Sequence, residues 1–213
     1  MDSARYKKAV DSWRMKNIHD GKAFTEALGS FGEKIAVELA GEGCDPASAK
    51  AIREAFRTGC VTSYTGNAEI FFSTIKAKNT IALMARSVDK GTPPGMDTLL
   101  QAYTCLHPGA AFCINGRSSL MELLSEMHEI PKASVHTAAA FFLAKMYDIR
   151  PFPDDRLQTP ILVMNCLLAV NDHPPVLIRQ NDKRMLLSAL DAWEDSKNLD
   201  PLIDFLESRT VDD

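Results

Sequence analysis

The sequence predicts an all-α bundle with at most one short β-hairpin, on three observations. Apolar residues recur at helical spacing through most of the 213 residues. Glycine, proline and capping residues punctuate these runs at intervals that suit helices. Alternating, strand-like patterns are almost missing, and only residues 110–117, around Asn115-Gly116, offer a tight-turn signal.

In chain order, residues 3–16 and 22–40 are predicted as amphipathic helices, broken at Asp20-Gly21. Gly41 to Gly43 end the second, and Asp45-Pro46 start a third that runs to about Cys60. Thr65-Gly66-Asn67 break the pattern. Residues 68–88 then carry a long helix with Ile70, Phe71, Ile75, Ile81 and Met84 at apolar positions. A Gly91-Thr-Pro-Pro-Gly95 loop precedes a helix over 96–106. Further helices are expected at 120–127, 134–147, 161–170, 182–193 and 199–206. The apolar runs in 138–146 and 162–168 read as core packing.

Composition bounds the function. Hydrophobic residues make up 46% and charged residues 24%, enough for a sizeable core. The net charge is −4, without the overall basic character of a non-specific nucleic-acid binder. Arg5, Lys7, Lys8, Arg14 and Lys16 cluster, but read as the solvated face of a first helix. The five cysteines lack CxxC spacing and read as free thiols in a reducing compartment. The histidines share no metal-type spacing with them or with one another. With no apolar leader and no run near ~18 apolar residues, a soluble protein made in a cytosol is expected, with no membrane partner.

The segment that carries chemistry is Ile149-Arg150-Pro151-Phe152-Pro153-Asp154-Asp155-Arg156-Leu157-Gln158, followed by Thr159-Pro160, an apolar helix and Asn171-Asp172-His173-Pro174-Pro175. It resembles the loop-and-helix signature of the Fic/Doc family, His-Pro-Phe-x-Asp/Glu-Gly-Asn-Gly-Arg-x-x-Arg. Pro151, Phe152 and Asp154 match. Arg150 stands at the histidine, Asp155-Arg156-Leu157 replace Gly-Asn-Gly, and Gln158 and Ile161 replace the two arginines. Weaker likenesses follow in the family's order: Thr65-Gly66-Asn67, the helix from Glu69 to Ala77, the Leu-Leu-x-x-Leu-His-like segment ending at His107, and residues 182–206. The resemblance implies an N-terminal helical extension over 1–61 and a Fic-like domain over 62–208.

The family transfers a nucleotide or other phosphate-bearing group to a protein hydroxyl. The resemblance implies a loop base, an amide cradle for phosphates, magnesium held by the acid at Asp154, and a hairpin flap that lines a target peptide by β-augmentation. Phe112, Cys113, Ile114 and Asn115 would form that flap. A family inhibitory motif, Ser/Thr-x-x-x-Glu-Gly/Asn, finds only Val61 and Thr65 at its place. His107-Pro108 followed by Asn115-Gly116-Arg117 echoes the signature but has the wrong spacing, and reads as flap and turn.

The exchanged residues oppose that chemistry. A guanidinium stays protonated, so Arg150 cannot take a proton. It either holds a phosphate or carboxylate or, preferably, pairs with Asp148, Asp154 or Asp155. Asp155 brings negative charge to the phosphate position, and Leu157 adds bulk. Thr159-Pro160 predict a helix start at Thr159, with Thr159 as N-cap and residues 155–158 left extended. Arg150, Arg156 and Thr159 are the candidate nucleotide contacts and Asp154 the candidate metal ligand. A turn or salt-bridge role is the preferred reading of Asp154, because one carboxylate makes a poor magnesium site. ATP or another nucleotide with Mg²⁺ is disfavoured. His136 and His173 are expected to be structural. The reading is a degenerate Fic-type pseudoenzyme that binds a protein partner, whether housekeeping protein, toxin-related protein or effector delivered into a host cell. The alternative is a transferase of non-standard mechanism.

Overall fold

The helix over Gln158–Val170 is enclosed on nearly every side, with ten of its thirteen residues buried. A helix that is apolar all round belongs inside a bundle, and the others pack about it. In this computed structural model the structure describes residues 3–40, 44, 46–58, 68–110, 113–129 and 135–210. Among the described residues there are eleven α-helices: α1 (Ser3–Met15), α2 (Gly21–Leu28), α3 (Phe31–Leu39), α4 (Pro46–Thr58), α5 (Ala68–Lys90), α6 (Met96–Leu106), α7 (Arg117–Glu126), α8 (Val135–Ile149), α9 (Gln158–Val170), α10 (Lys183–Ser196) and α11 (Asp200–Arg209). Helix α9 packs against α5, α6 and α8, while α2, α3 and α4 lie along α5. The fold is all-α, as the periodicity predicts.

The main core runs from Trp13 and Phe24 through Phe142 and Met164 to Leu206. Asn165 is a polar residue inside it, 4% exposed, with both its side-chain oxygen and its nitrogen hydrogen-bonded. Its Nδ2 donates to the Val176 carbonyl at 3.1 Å, and its Oδ1 accepts the Val176 amide at 2.8 Å. That pair pins the chain after α9. Val176 also bridges antiparallel to Thr210, and the Leu177 amide donates to the Arg209 carbonyl at 3.1 Å, so the C-terminal segment is tied alongside. Gly21 sits where α2 meets α5. Its amide donates to Asp89 Oδ1 at 2.7 Å, and a Cβ there would lie 2.7 Å from the Ala85 carbonyl oxygen.

Three expectations need correction. The predicted helix over 22–40 is two helices, because Gly29, with φ 46°, leaves the right-handed region and closes α2. No hairpin is found among the described residues. Asn115-Gly116 turn the chain into α7, with Gly116 as its N-cap at φ 59°, ψ 34°. The pair therefore serves a helix start, and the predicted helix over 120–127 begins early, at Arg117. Third, α9 starts at Gln158, one residue before the predicted start at Thr159, which places Thr159 inside the first turn. Pro160 is still accommodated there, since first-turn amides have no intrahelical acceptor. Ala111, Phe112, Val61 and Thr65-Gly66-Asn67 lie outside the described residues.

No described helix is long and apolar enough to cross a membrane. Cys105, Cys113 and Cys166 are free thiols, and burial pushes that of Cys166 up to about 12.

Candidate functional site

The loop between α8 and α9 is built from its ends inward. Arg150 closes α8 in the left-handed conformation, φ 51°, with its amide donating to the Met146 carbonyl at 3.0 Å. The Pro151 carbonyl accepts the Asn115 amide at 3.0 Å, which joins this loop to the segment before α7. Phe152 is 1% exposed and stacks on Tyr103 of α6, ring centroids 4.3 Å apart. On the same helix edge, the Tyr103 ring lies 4.8 Å from that of His107. The aromatic anchor thus fixes the loop against α6 and leaves the following residues facing the start of α9.

Asp155 is the centre of the site. Its side chain is 2% exposed. Oδ1 accepts the amides of Leu157 at 3.2 Å and Gln158 at 2.7 Å. Oδ2 accepts the Thr159 amide at 2.9 Å and the Thr159 hydroxyl at 2.6 Å. The fifth contact comes from His107, whose Nε2 lies 2.8 Å from Oδ2. An ionised carboxylate only accepts, so His107 carries its proton on Nε2. The free amides at a helix start form a natural anion-binding set. Here the protein's own carboxylate occupies it.

Around this plug opens a cleft of about 330 Å³, lined by His107, Asp154 to Gln158, Arg179 and Lys183 with an apolar floor. Asp154 is exposed at its rim. The Arg156 guanidinium lies 4.0 Å over the Tyr147 ring, and its buried Nε finds no partner among the described residues. Stacking of this kind holds an arginine in place while leaving its outer N–H groups for a ligand. Gln158 is exposed at the first position of α9.

Arg150 does not line the cleft. Its guanidinium points to Glu194 of α10 at 3.8 Å, and both side chains are more than a third exposed. None of the expected partners takes it. Asp148 accepts Trp193 Nε1 at 3.0 Å and Lys197 Nζ at 3.5 Å, while Asp155 is closed off by its own contacts. Thr159 has given both amide and hydroxyl to Asp155, so neither is left for a phosphate. Of the expected flap residues, Cys113 is exposed, Ile114 packs on the core, and Asn115 holds Pro151.

His136 opens α8, fourteen residues before Arg150. It is buried against Tyr6, ring centroids 4.6 Å apart, with both ring nitrogens unpartnered among the described residues. Burial, with the nearby His173, pushes it down to about 4. His173 is also lowered by burial, and its Nδ1 lies 2.8 Å from the Asn171 carbonyl oxygen. Neither imidazole lines the cleft. Among the described residues no group of three or more His, Cys, Asp or Glu side chains could hold a metal ion.

Two features escaped sequence reasoning. His107 stands out in the sequence only as the end of a segment resemblance and as a mis-spaced echo of the signature, and its pairing with Asp155 spans 48 positions. The role of Asp155 as cap had a local signal, because aspartate readily accepts amides two to four residues ahead.

No family model and no curated protein matches the chain by sequence. Solved structures do match in fold. Two structures of Fic-1 from C. elegans cover 98% of this chain at 13% and 14% identity, with TM-scores of 0.70 and 0.65; the match spans 68% and 69% of those chains. A Fic domain containing signaling protein from Bacteroides thetaiotaomicron matches 96% of this chain and 93% of its own length, at 14% identity and TM-score 0.70. The fold is therefore Fic-like.

Proposed function

We propose that this Fic-fold protein does not transfer nucleotides and acts as a protein-binding or regulatory pseudoenzyme. The observation that carries the reading is Asp155, whose carboxylate takes the amides of residues 157–159. The resemblance assigns such amides to a donor phosphate, and two anions cannot share them. At the position of the family base, Arg150 stays protonated and faces Glu194. The proton acceptor and the phosphate cradle are both removed, by independent residues.

A second reading has one specific support. His107 is held by Asp155 through Nε2, the arrangement in which a carboxylate orients an imidazole for proton transfer through its other nitrogen. With Arg156, Arg179 and Lys183 in the same cleft, this would give a transferase of non-standard mechanism.

Thermal melting with ATP, ADP, CDP-choline and nucleotide sugars, each with and without Mg²⁺, separates the two. A donor at a hundred times its Kd stabilises a fold by about 2.7 kcal/mol, worth several degrees in a chain of this size. The pseudoenzyme reading expects no shift and no label transfer from ATP. A shift lost in His107→Ala or Arg156→Ala, with label transfer, would establish the second reading instead.

A further inference from the structure

Beside the plugged cleft lies a smaller recess of about 120 Å³, where α3, α5, α6 and α9 meet the chain that follows α9. We infer that it binds a small neutral molecule: an apolar body about the size of one ring that carries a hydroxyl, as a phenol does. The inference goes beyond the pseudoenzyme reading and does not depend on it.

Thr80 is the first support. It lines the recess, is 5% exposed, and its hydroxyl finds no hydrogen-bond partner among the described residues. Elsewhere in these helices such a hydroxyl turns back onto its own backbone. Thr25 donates to the Gly21 carbonyl at 2.7 Å, Thr74 to that of Ile70 at 2.8 Å, Thr104 to that of Leu100 at 2.9 Å and Ser87 to that of Leu83 at 3.0 Å. Thr80, in the middle of α5, makes no such bond. A buried hydroxyl left unpaired is costly, so its presence calls for an occupant that bonds to it.

Size and lining then select the ligand. Ile35, Leu39, Leu106, Leu162 and Val176 give apolar walls from α3, α6, α9 and the chain beyond it. An apolar cavity of about 150 Å³ holds one benzene ring, so a recess of about 120 Å³ suits a single ring and little more. Asn165 is bonded through both side-chain atoms to Val176, and Glu38 Oε2 accepts the Gln180 amide at 2.9 Å. The Glu38 carboxylate repels an anion, and the apolar walls make a buried cation costly. An uncharged hydroxyl can pair with that of Thr80 while its ring lies against the walls. The recess shares Gln158, Ile161, Ile178 and Gln180 with the plugged cleft, so the occupant sits against the first turns of α9.

The test is an NMR titration of the full, methyl-labelled chain with phenol. Saturable shifts are expected in the methyl signals of Thr80, Ile35, Leu106 and Leu162, at millimolar ligand, as suits so small a molecule. Thr80→Val keeps the shape and removes the hydroxyl; it should weaken phenol about fivefold or more and leave toluene unchanged. Ile35→Trp, at a half-buried position of α3, fills the recess and should abolish both. Melting of each variant by circular dichroism confirms folding, and Thr80→Val carries the test if Ile35→Trp unfolds. The proposal is overturned if the shifts in the native chain do not saturate or do not centre on those methyls. It is overturned equally if Thr80→Val weakens toluene as much as phenol, or if benzylamine or benzoate binds more tightly than phenol. Label transfer from ATP in the same preparations would refute the pseudoenzyme reading alone, leaving the phenol result to stand or fall separately.

Discussion

His107 Nε2 and Asp155 Oδ2 are 2.8 Å apart, a contact that fastens the end of α6 to the start of α9. It brings His107, from the far end of α6, to hold the plug alongside the Thr159 hydroxyl. His107→Phe keeps a ring beside Tyr103 but removes the donor. The expected loss is about 1–2 kcal/mol in urea unfolding, because one hydrogen bond to a buried carboxylate disappears. A variant as stable as the native chain would show that the contact contributes nothing.

Asp155 has more at stake. Asp155→Ala strands three amides, a buried hydroxyl and an imidazole at once. A destabilisation of about 2–4 kcal/mol is expected, larger than an exposed N-cap would give. Asp155→Asn keeps one acceptor oxygen and should lose less. In Asp155→Gly the amides stand open, so inorganic pyrophosphate should raise the melting temperature of that variant and not of the native chain. The opposite pattern would mean that the plug does not compete with anions.

Burial of His136 predicts a pH dependence. Its folded value is pushed down to about 4 from 6.5, so the unfolded chain binds the proton more readily. Stability is thus complete above pH 6.5 and declines as pH falls toward 4, by roughly 3 kcal/mol at most. His173 is lowered too and adds to the decline in the same direction. His136→Phe, which can still pack on Tyr6, should flatten the profile between pH 6.5 and 4. An unchanged slope would assign the acid sensitivity elsewhere.

Arg150→Ala removes only a long, exposed pair with Glu194, and should change stability by less than about 0.5 kcal/mol. If instead the variant melts several degrees lower, the guanidinium has a structural task that its geometry does not reveal.

Gly21→Ala brings a Cβ to 2.6 Å from Asp89 Oδ2 and 2.7 Å from the Ala85 carbonyl oxygen. The α5 backbone cannot yield as a flexible side chain can. A loss of about 1–3 kcal/mol is expected, measured by the urea midpoint.

Most helices were legible because their apolar spacing is strong and their caps are local. The α2–α3 break was not, since Gly29 ends a helix in a run whose periodicity carries on past it. Asn115-Gly116 misled for a related reason: a left-handed glycine serves a hairpin turn and a helix start equally well, and only the tertiary setting decides. The loop from Arg150 to Gln158 was found by its residues, and its charge problem at Asp155 was foreseen. How the problem is solved was not, because the carboxylate turns onto its own chain and His107 arrives from far off in sequence. The recess beside Thr80 was equally hidden, being a product of three-dimensional packing among separate segments.

Enclosure of α9 has a further consequence. A helix end held inside a bundle cannot swing outward to let water satisfy its amides. Something must meet them where they stand, and in this chain that something is covalently attached. The start of α9 is therefore completed from within the chain, by the carboxylate of Asp155.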